Sequence, residues 1–176
     1  MSRREIWLRI LCIIAVVAVV VWVAHAIGEE DEPEYQTFYV ICKPKSHVNA
    51  REFPRKTAKI AGRLECGDAV LTLGERYGRY MKIYGPTFES PDVWIHAGYL
   101  VENEPEIYQD GIKGIIRANG RVSVRRYVRG QRRAWIRPGK PVTVYVVSDD
   151  WTLTNRGYIQ REFVEIEHEE PVGEGE

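Results

Sequence analysis

Beyond residue 28 the chain holds two cysteines, Cys42 and Cys66, and three histidines, His47, His96 and His168. A thiol beside an imidazole is the pairing used for nucleophilic acyl transfer, with the ring taking the thiol proton. A nucleophilic cysteine gains its low pKa at the start of a helix. Both cysteines instead fall in strand or turn context, and no helix-forming stretch of usable length follows residue 28. No serine flanked by glycines makes a nucleophile elbow. Asp149 and Asp150 are adjacent in a turn and read as a solvated loop. There is no Gly-rich phosphate loop and no metal-ligand spacing. These residues give no reason to expect an enzyme, a cofactor or a metal.

Residue types suited to recognition are richer. Tyr77, Tyr80 and Trp94, and later Tyr145, Trp151 and Tyr158, lie on strand-type runs. Exposed side by side they form a flat, rigid groove for peptide or glycan; turned inward they close a small barrel. Both readings stand for these six, whereas Tyr99 and Phe163 read as core. Charge is segregated although the chain is neutral overall. From Gly111 to Ser148, 38 residues carry ten Lys or Arg and no Asp or Glu, and eight of the ten are Arg. Guanidinium forks match carboxylate and phosphate. Arg125, Arg126, Arg129, Arg132, Arg133 and Arg137 are therefore candidates for docking an anionic partner. The competing account is a solvated basic face balanced by the acidic tail or spacer; the tail from Glu165 onward holds six Glu and no Lys or Arg. Nucleic acid suits the same charges but not the compartment argued below.

The elements that must position these groups are written twice. Val48-Asn49-Ala50-Arg51, Gly67, Tyr80, Trp94-Ile95 and Tyr99-Leu100 recur as Val122-Ser123-Val124-Arg125, Gly139, Trp151, Tyr158-Ile159 and Phe163-Val164. The offset begins at 74 residues and ends at 64, so the second copy has shorter loops. Short runs of Val, Ile, Thr and aromatics, broken every 8 to 12 residues by Gly, Pro or Asp, predict small β-modules. We expect a first module over 36–102, a link at 103–106, a second, basic module over 107–166 and a solvated acidic tail over 167–176. Modules of this size are marginal alone, so the two should touch.

Ahead of them, Ile10 to Gly28 form 19 positions without a charged residue, 11 of them Ile, Leu or Val. As a helix this run spans about 28 Å, near the hydrocarbon thickness of a bilayer. Residues 1–9 carry Arg3, Arg4 and Arg9, whereas the spacer 29–35 is acidic. The positive-inside rule then puts the N-terminus in the cytoplasm and the modules outside. Ala24-His25-Ala26 also fits a cleavage site, so an uncleaved anchor and a removed signal peptide are both open. In an oxidising compartment Cys42 and Cys66, each absent from the other copy, suggest one disulfide worth about 3 kcal/mol. Two buried thiols are the alternative.

The ordered motifs resemble the bacterial-type Src homology 3 domain. They are Val48 to Arg51, Ile60 to Leu64, Gly67-Asp68, Gly78 to Ile83 and Val93 to Leu100. In the second copy they are Val122 to Arg125, Pro138 to Lys140, Asp150-Trp151 and Gly157 to Val164. Tyr80 and Tyr158 stand where that family has Trp, and the family's small-residue and Pro loop is replaced by Tyr127 to Arg133. The resemblance implies an all-β chain of two tandem Src-homology-3-like barrels behind a transmembrane helix. It implies binding of cell-wall peptide, peptidoglycan or another envelope polymer, or an envelope protein, and not catalysis. The expected place is the bacterial plasma membrane, with the lipid bilayer as partner of the helix. A structural subunit of a larger membrane complex is the alternative function.

Overall fold

The structure is a computed structural model that describes residues 33–85, 88 and 92–167. The expected membrane segment at 10–28, and His168 with the rest of the tail beyond it, lie outside those residues. Among the described residues no helix is long and apolar enough to cross a membrane. The described residues from Tyr35 onward form one compact unit, and it is all-β.

The first strands are β1 (Gln36–Val40), β2 (His47–Arg51), β3 (Ile60–Glu65), β4 (Ala69–Thr72), β5 (Arg76–Tyr77), β6 (Tyr80–Ile83), β7 (Val93–His96) and β8 (Leu100–Val101). They form two sheets, ordered β4-β1-β8 and β3-β2-β7-β6-β5. There follow β9 (Glu106–Ile116), β10 (Val122–Arg125), β11 (Arg132–Ile136), β12 (Pro141–Val147), β13 (Trp151–Thr154), β14 (Gly157–Gln160) and β15 (Val164–Ile166). These make one sheet, ordered β11-β10-β14-β13-β12-β9-β15. Single 3-10 turns, Ala97–Tyr99 and Arg161–Phe163, precede β8 and β15.

The repetition in the sequence is a repetition of pairing. β1 lies between β4 and β8 as β9 lies between β12 and β15. β2 pairs β3 and β7, with Arg51 opposite Trp94; β10 pairs β11 and β14, with Arg125 opposite Tyr158. Even the register shift recurs, at Ala50/Arg51 and at Val124/Arg125. A bulge there turns the arginine out of the strand's alternation and into the following loop.

Alternation explains which faces are buried. In β12 the residues Val142, Val144 and Val146 point inward between half-exposed Thr143, Tyr145 and Val147. β9 is long enough to serve a whole module because Gly111, at φ +76°, lets it bend. A Cβ at Gly111 would come within 2.5 Å of Thr143. Three apolar clusters result. One centres on Val40, Ala50, Met81, Ile83 and Ile95, and another on Ile116, Val124, Val144 and Ile159. The third joins the copies: Ile41 and Val101 of the first pack with Val128, Val146, Trp151, Leu153 and Tyr158 of the second. Each such side chain contributes about 1.5–3 kcal/mol on burial, so the junction is a core rather than a tether.

Candidate functional site

The bulged arginines come first because they hold the loops that build the site. Arg51 Nη1 donates to the carbonyl of Ala58 at 2.6 Å, and Arg125 Nη1 to that of Gly130 at 2.6 Å. Arg125 is half-buried, with its guanidinium 6.0 Å from the Trp151 ring centroid. It is thus a loop pin, and its Nε is buried without a hydrogen-bond partner among the described residues.

The loop that Arg125 pins carries Tyr127 into the first module. Its ring lies 4.4 Å from that of His96 and 5.2 Å from that of Tyr99, and Tyr80 meets His96 edge-on at 5.7 Å. The backbone fixes this entry, because Val128 N donates to the Gly98 carbonyl at 3.0 Å. Gly98 permits it, since a Cβ there would stand 2.6 Å from that of Tyr127. His96 Nδ1 accepts from Gly98 N at 3.1 Å, so the neutral ring carries its proton on Nε2. Burial, then the neighbouring Arg79, holds His96 below the usual histidine range. Burial, then Tyr127, pushes the Tyr99 hydroxyl up to about 12.

Two clefts flank this aromatic partition, and His96 and Tyr127 line both. The first encloses about 410 Å³ between the copies, with Trp151 in its wall. Arg76, Arg79 and Glu102 enter it from the first module, and Arg129, Asp149 and Asp150 from the second. Arg129 Nη2 lies 3.9 Å from Glu102 and 4.0 Å from Asp150, and Asn103 donates to Asp149. Arg129 also holds a left-handed backbone, φ 54°, which an arginine adopts only when its surroundings dictate it. The second cleft, about 470 Å³, is lined by Lys43, Arg51 and Lys56 beside Tyr80 and Tyr99, with no carboxylate in its wall.

The expected recognition residues divide accordingly. Tyr80 lines the second cleft and Trp151 the first. Trp151 is largely buried, so its indole is core with one face to the cleft. Tyr158 is 4 % exposed and donates its hydroxyl to the Ile41 carbonyl at 2.9 Å. It is a strut between copies that also lines the second cleft. Tyr77 is exposed on β5, while Trp94 and half-buried Tyr145 stand on β7 and β12; none of the three lines either cleft. Lys43 Nζ sits 5.1 Å above the Tyr145 ring. Arg126, Arg129, Arg132, Arg133 and Arg137 are all exposed.

Cys42 and Cys66 are brought together but remain separate thiols, so the expected bridge is not formed. Cys66 Sγ donates to the Cys42 carbonyl at 2.8 Å and accepts from the Cys42 N at 3.4 Å. The Cys42 thiol and N–H favour a Cys66 thiolate and pull that group down to about 7. The same bond, then burial, pushes Cys42 up. Among the described residues no cluster of His, Cys, Asp or Glu could hold a metal ion. His96, Tyr127, Asp149 and Asp150 were not foreseen as site residues. Tyr127 lies in the loop where the sequence departs from the motifs it resembles, and that departure is the signal for it.

No family model matches the sequence, and no curated protein is similar to it. Among solved structures the chain is similar to NlpC1 from Trichomonas vaginalis at 16 % identity and a TM-score of 0.34, over 83 % of this chain and 51 % of that one. NlpC2 from Trichomonas vaginalis is similar at 15 % identity and a TM-score of 0.33, over 77 % and 49 %. The chain thus spans about half the length of these neighbours. A likeness of that strength does not bear on activity.

Proposed function

We propose that the chain is a non-enzymatic binding protein of a bacterial envelope that engages cell-wall peptide or glycan through two Src-homology-3-like modules. Residues 10–28 hold it in the plasma membrane with the N-terminus in the cytoplasm. The module assignment is supported by the doubled pairing pattern, in which each ordered motif occupies the same strand of its copy. The observation that carries the binding role is the cleft between the copies. Its volume suits a small ligand, and each copy contributes both arginine and carboxylate to it. Such a wall meets a ligand bearing ammonium and carboxylate groups together, as peptides that cross-link a glycan do. The exposed Arg126, Arg132, Arg133 and Arg137 add attraction toward an anionic polymer.

The test is sedimentation of the full chain, kept in detergent, with purified peptidoglycan. The wild type is expected in the pellet. Arg129→Asn and the Asp149→Asn/Asp150→Asn pair should each release a large share of it, and the effect of added salt should shrink in the arginine variant. If the wild type stays in the supernatant, the cell-wall reading falls and a structural subunit of a larger membrane complex takes its place.

A further inference from the structure

The two copies differ at one strand edge. In the first, β3 ends its sheet, and one of its faces is covered. Phe88, from the connection between β6 and β7, packs on the first core. It stands so close to Gly62 that a Cβ there would come within 2.8 Å of its ring. In the second copy β11 ends the sheet in the same way. Ala134 sits opposite Val124 as Gly62 sits opposite Ala50, so the two are equivalent. The matching connection there is only Asn155–Arg156, too short to bring any cover.

The result is an open edge with an aromatic on it. Four of the five β11 residues are exposed, and Trp135 is 52 % exposed with the Arg132 guanidinium 4.4 Å from its ring centroid. Natural sheets blunt a free edge with charge, because its unpaired N–H and C=O groups are a template for another strand. The arginines serve that end, but a bare tryptophan works against it. Arg126, Arg132, Arg133 and Arg137 make no ion pair among the described residues, and no carboxylate occurs anywhere from 111 to 148.

We infer that the open edge of β11 receives an extended acidic segment of a partner polypeptide as an added strand. Its carboxylates meet the arginines, and an aromatic or aliphatic side chain of the added strand settles against Trp135 on its face of β11. A polysaccharide or lipid surface can neutralise arginines, but it has no run of backbone donors and acceptors to pair with a strand. This site uses none of the cleft residues but shares its arginines with the cell-wall reading, and Trp135 and the backbone of β11, which that reading does not use, tell the two apart.

The probe is a synthetic peptide of about six residues alternating Glu and Phe, which as a strand shows one type on each face. It is titrated into the full chain in detergent. Saturable binding is expected, with amide hydrogen exchange slowed at 132–136. Trp135→Ala and the Arg132→Ser/Arg133→Ser pair should each weaken it by about tenfold, and Trp135→Phe should restore it. An unchanged unfolding midpoint shows that these surface variants fold. Binding without slowed exchange at β11 overturns the inference. So does equal binding by anionic vesicles that ignores Trp135→Ala, since the arginines then serve a lipid surface.

Discussion

Tyr158→Phe removes a single oxygen from the junction and should be felt by the whole unit. That hydroxyl is the partner of the Ile41 carbonyl at 2.9 Å, across 117 residues of sequence, and that carbonyl has no other partner among the described residues. Tyr158 is 4 % exposed, and burial holds its hydroxyl in the protonated, donating form. Deleting a donor leaves a buried acceptor unsatisfied, at a cost of about 1–3 kcal/mol, while the ring itself still fills its place. For a unit of this size each kcal/mol is about 4 °C, so the midpoint should fall by about 4–12 °C. Thermal unfolding of the full chain in detergent, followed by near-ultraviolet circular dichroism, reads this directly. Tyr77→Phe, on an exposed tyrosine, is the control and should stay within about 0.5 kcal/mol of the wild type. A midpoint unchanged in Tyr158→Phe would refute the strut. So would two separate transitions of which only one responds, because the copies would then not share a core.

Two further outcomes follow from the titratable groups at the junction. His96 is held neutral in the fold, so its contribution is complete above the unfolded histidine pKa of about 6.5 and is lost as pH falls through that value toward its lower folded pKa. The urea midpoint should therefore drop more between pH 7.5 and 5 in the wild type than in His96→Gln, which copies the residue at the equivalent Gln160; equal drops would refute it. For the thiols, iodoacetamide at about pH 8 should label Cys66 before Cys42, since Cys66 is pulled down to about 7 while Cys42 is buried and pushed up. Peptide mapping by mass spectrometry reads the order, and equal or reversed labelling would contradict the arrangement of the pair.

What was legible in the sequence is what depends on local rules. Alternating valines mark β12, and turn glycines at 67 and 139 hold the positive φ their turns require. The repeated Val-x-Val/Ala-Arg motif lands on β2 and β10 with the same bulge and the same cross-strand partner. None of this needs knowledge of how the copies meet. The roles of Arg125 and Tyr158 do need it. An arginine's freedom depends on the curvature of the loop after it, and Gly130 was not visible as its acceptor. Tyr158 and Trp94 occupy one register position, yet only Tyr158 faces the other copy and finds a carbonyl there.

The same distinction explains why the copies have diverged where they have. At His96 the first copy carries a ring that caps its own 3-10 turn and stacks on Tyr127; at the equivalent Gln160 the second has no side-chain cap and receives no such loop. At β3 the first copy is sealed by Phe88, whereas at β11 the second is open. The loop after the bulged arginine reaches across the junction in the second copy, and Phe88 packs over its own sheet in the first. One copy is therefore finished by contacts from within the chain, and the other has given a loop to its neighbour and kept an edge uncovered. Loop lengths alone hold that information: the ten-residue drop in offset between the repeats, from 74 to 64, contains the segment whose loss bares β11. A duplicated module that keeps its strands and shortens that cover retains its fold, because the cores lie elsewhere, and gains a surface that only another chain can close.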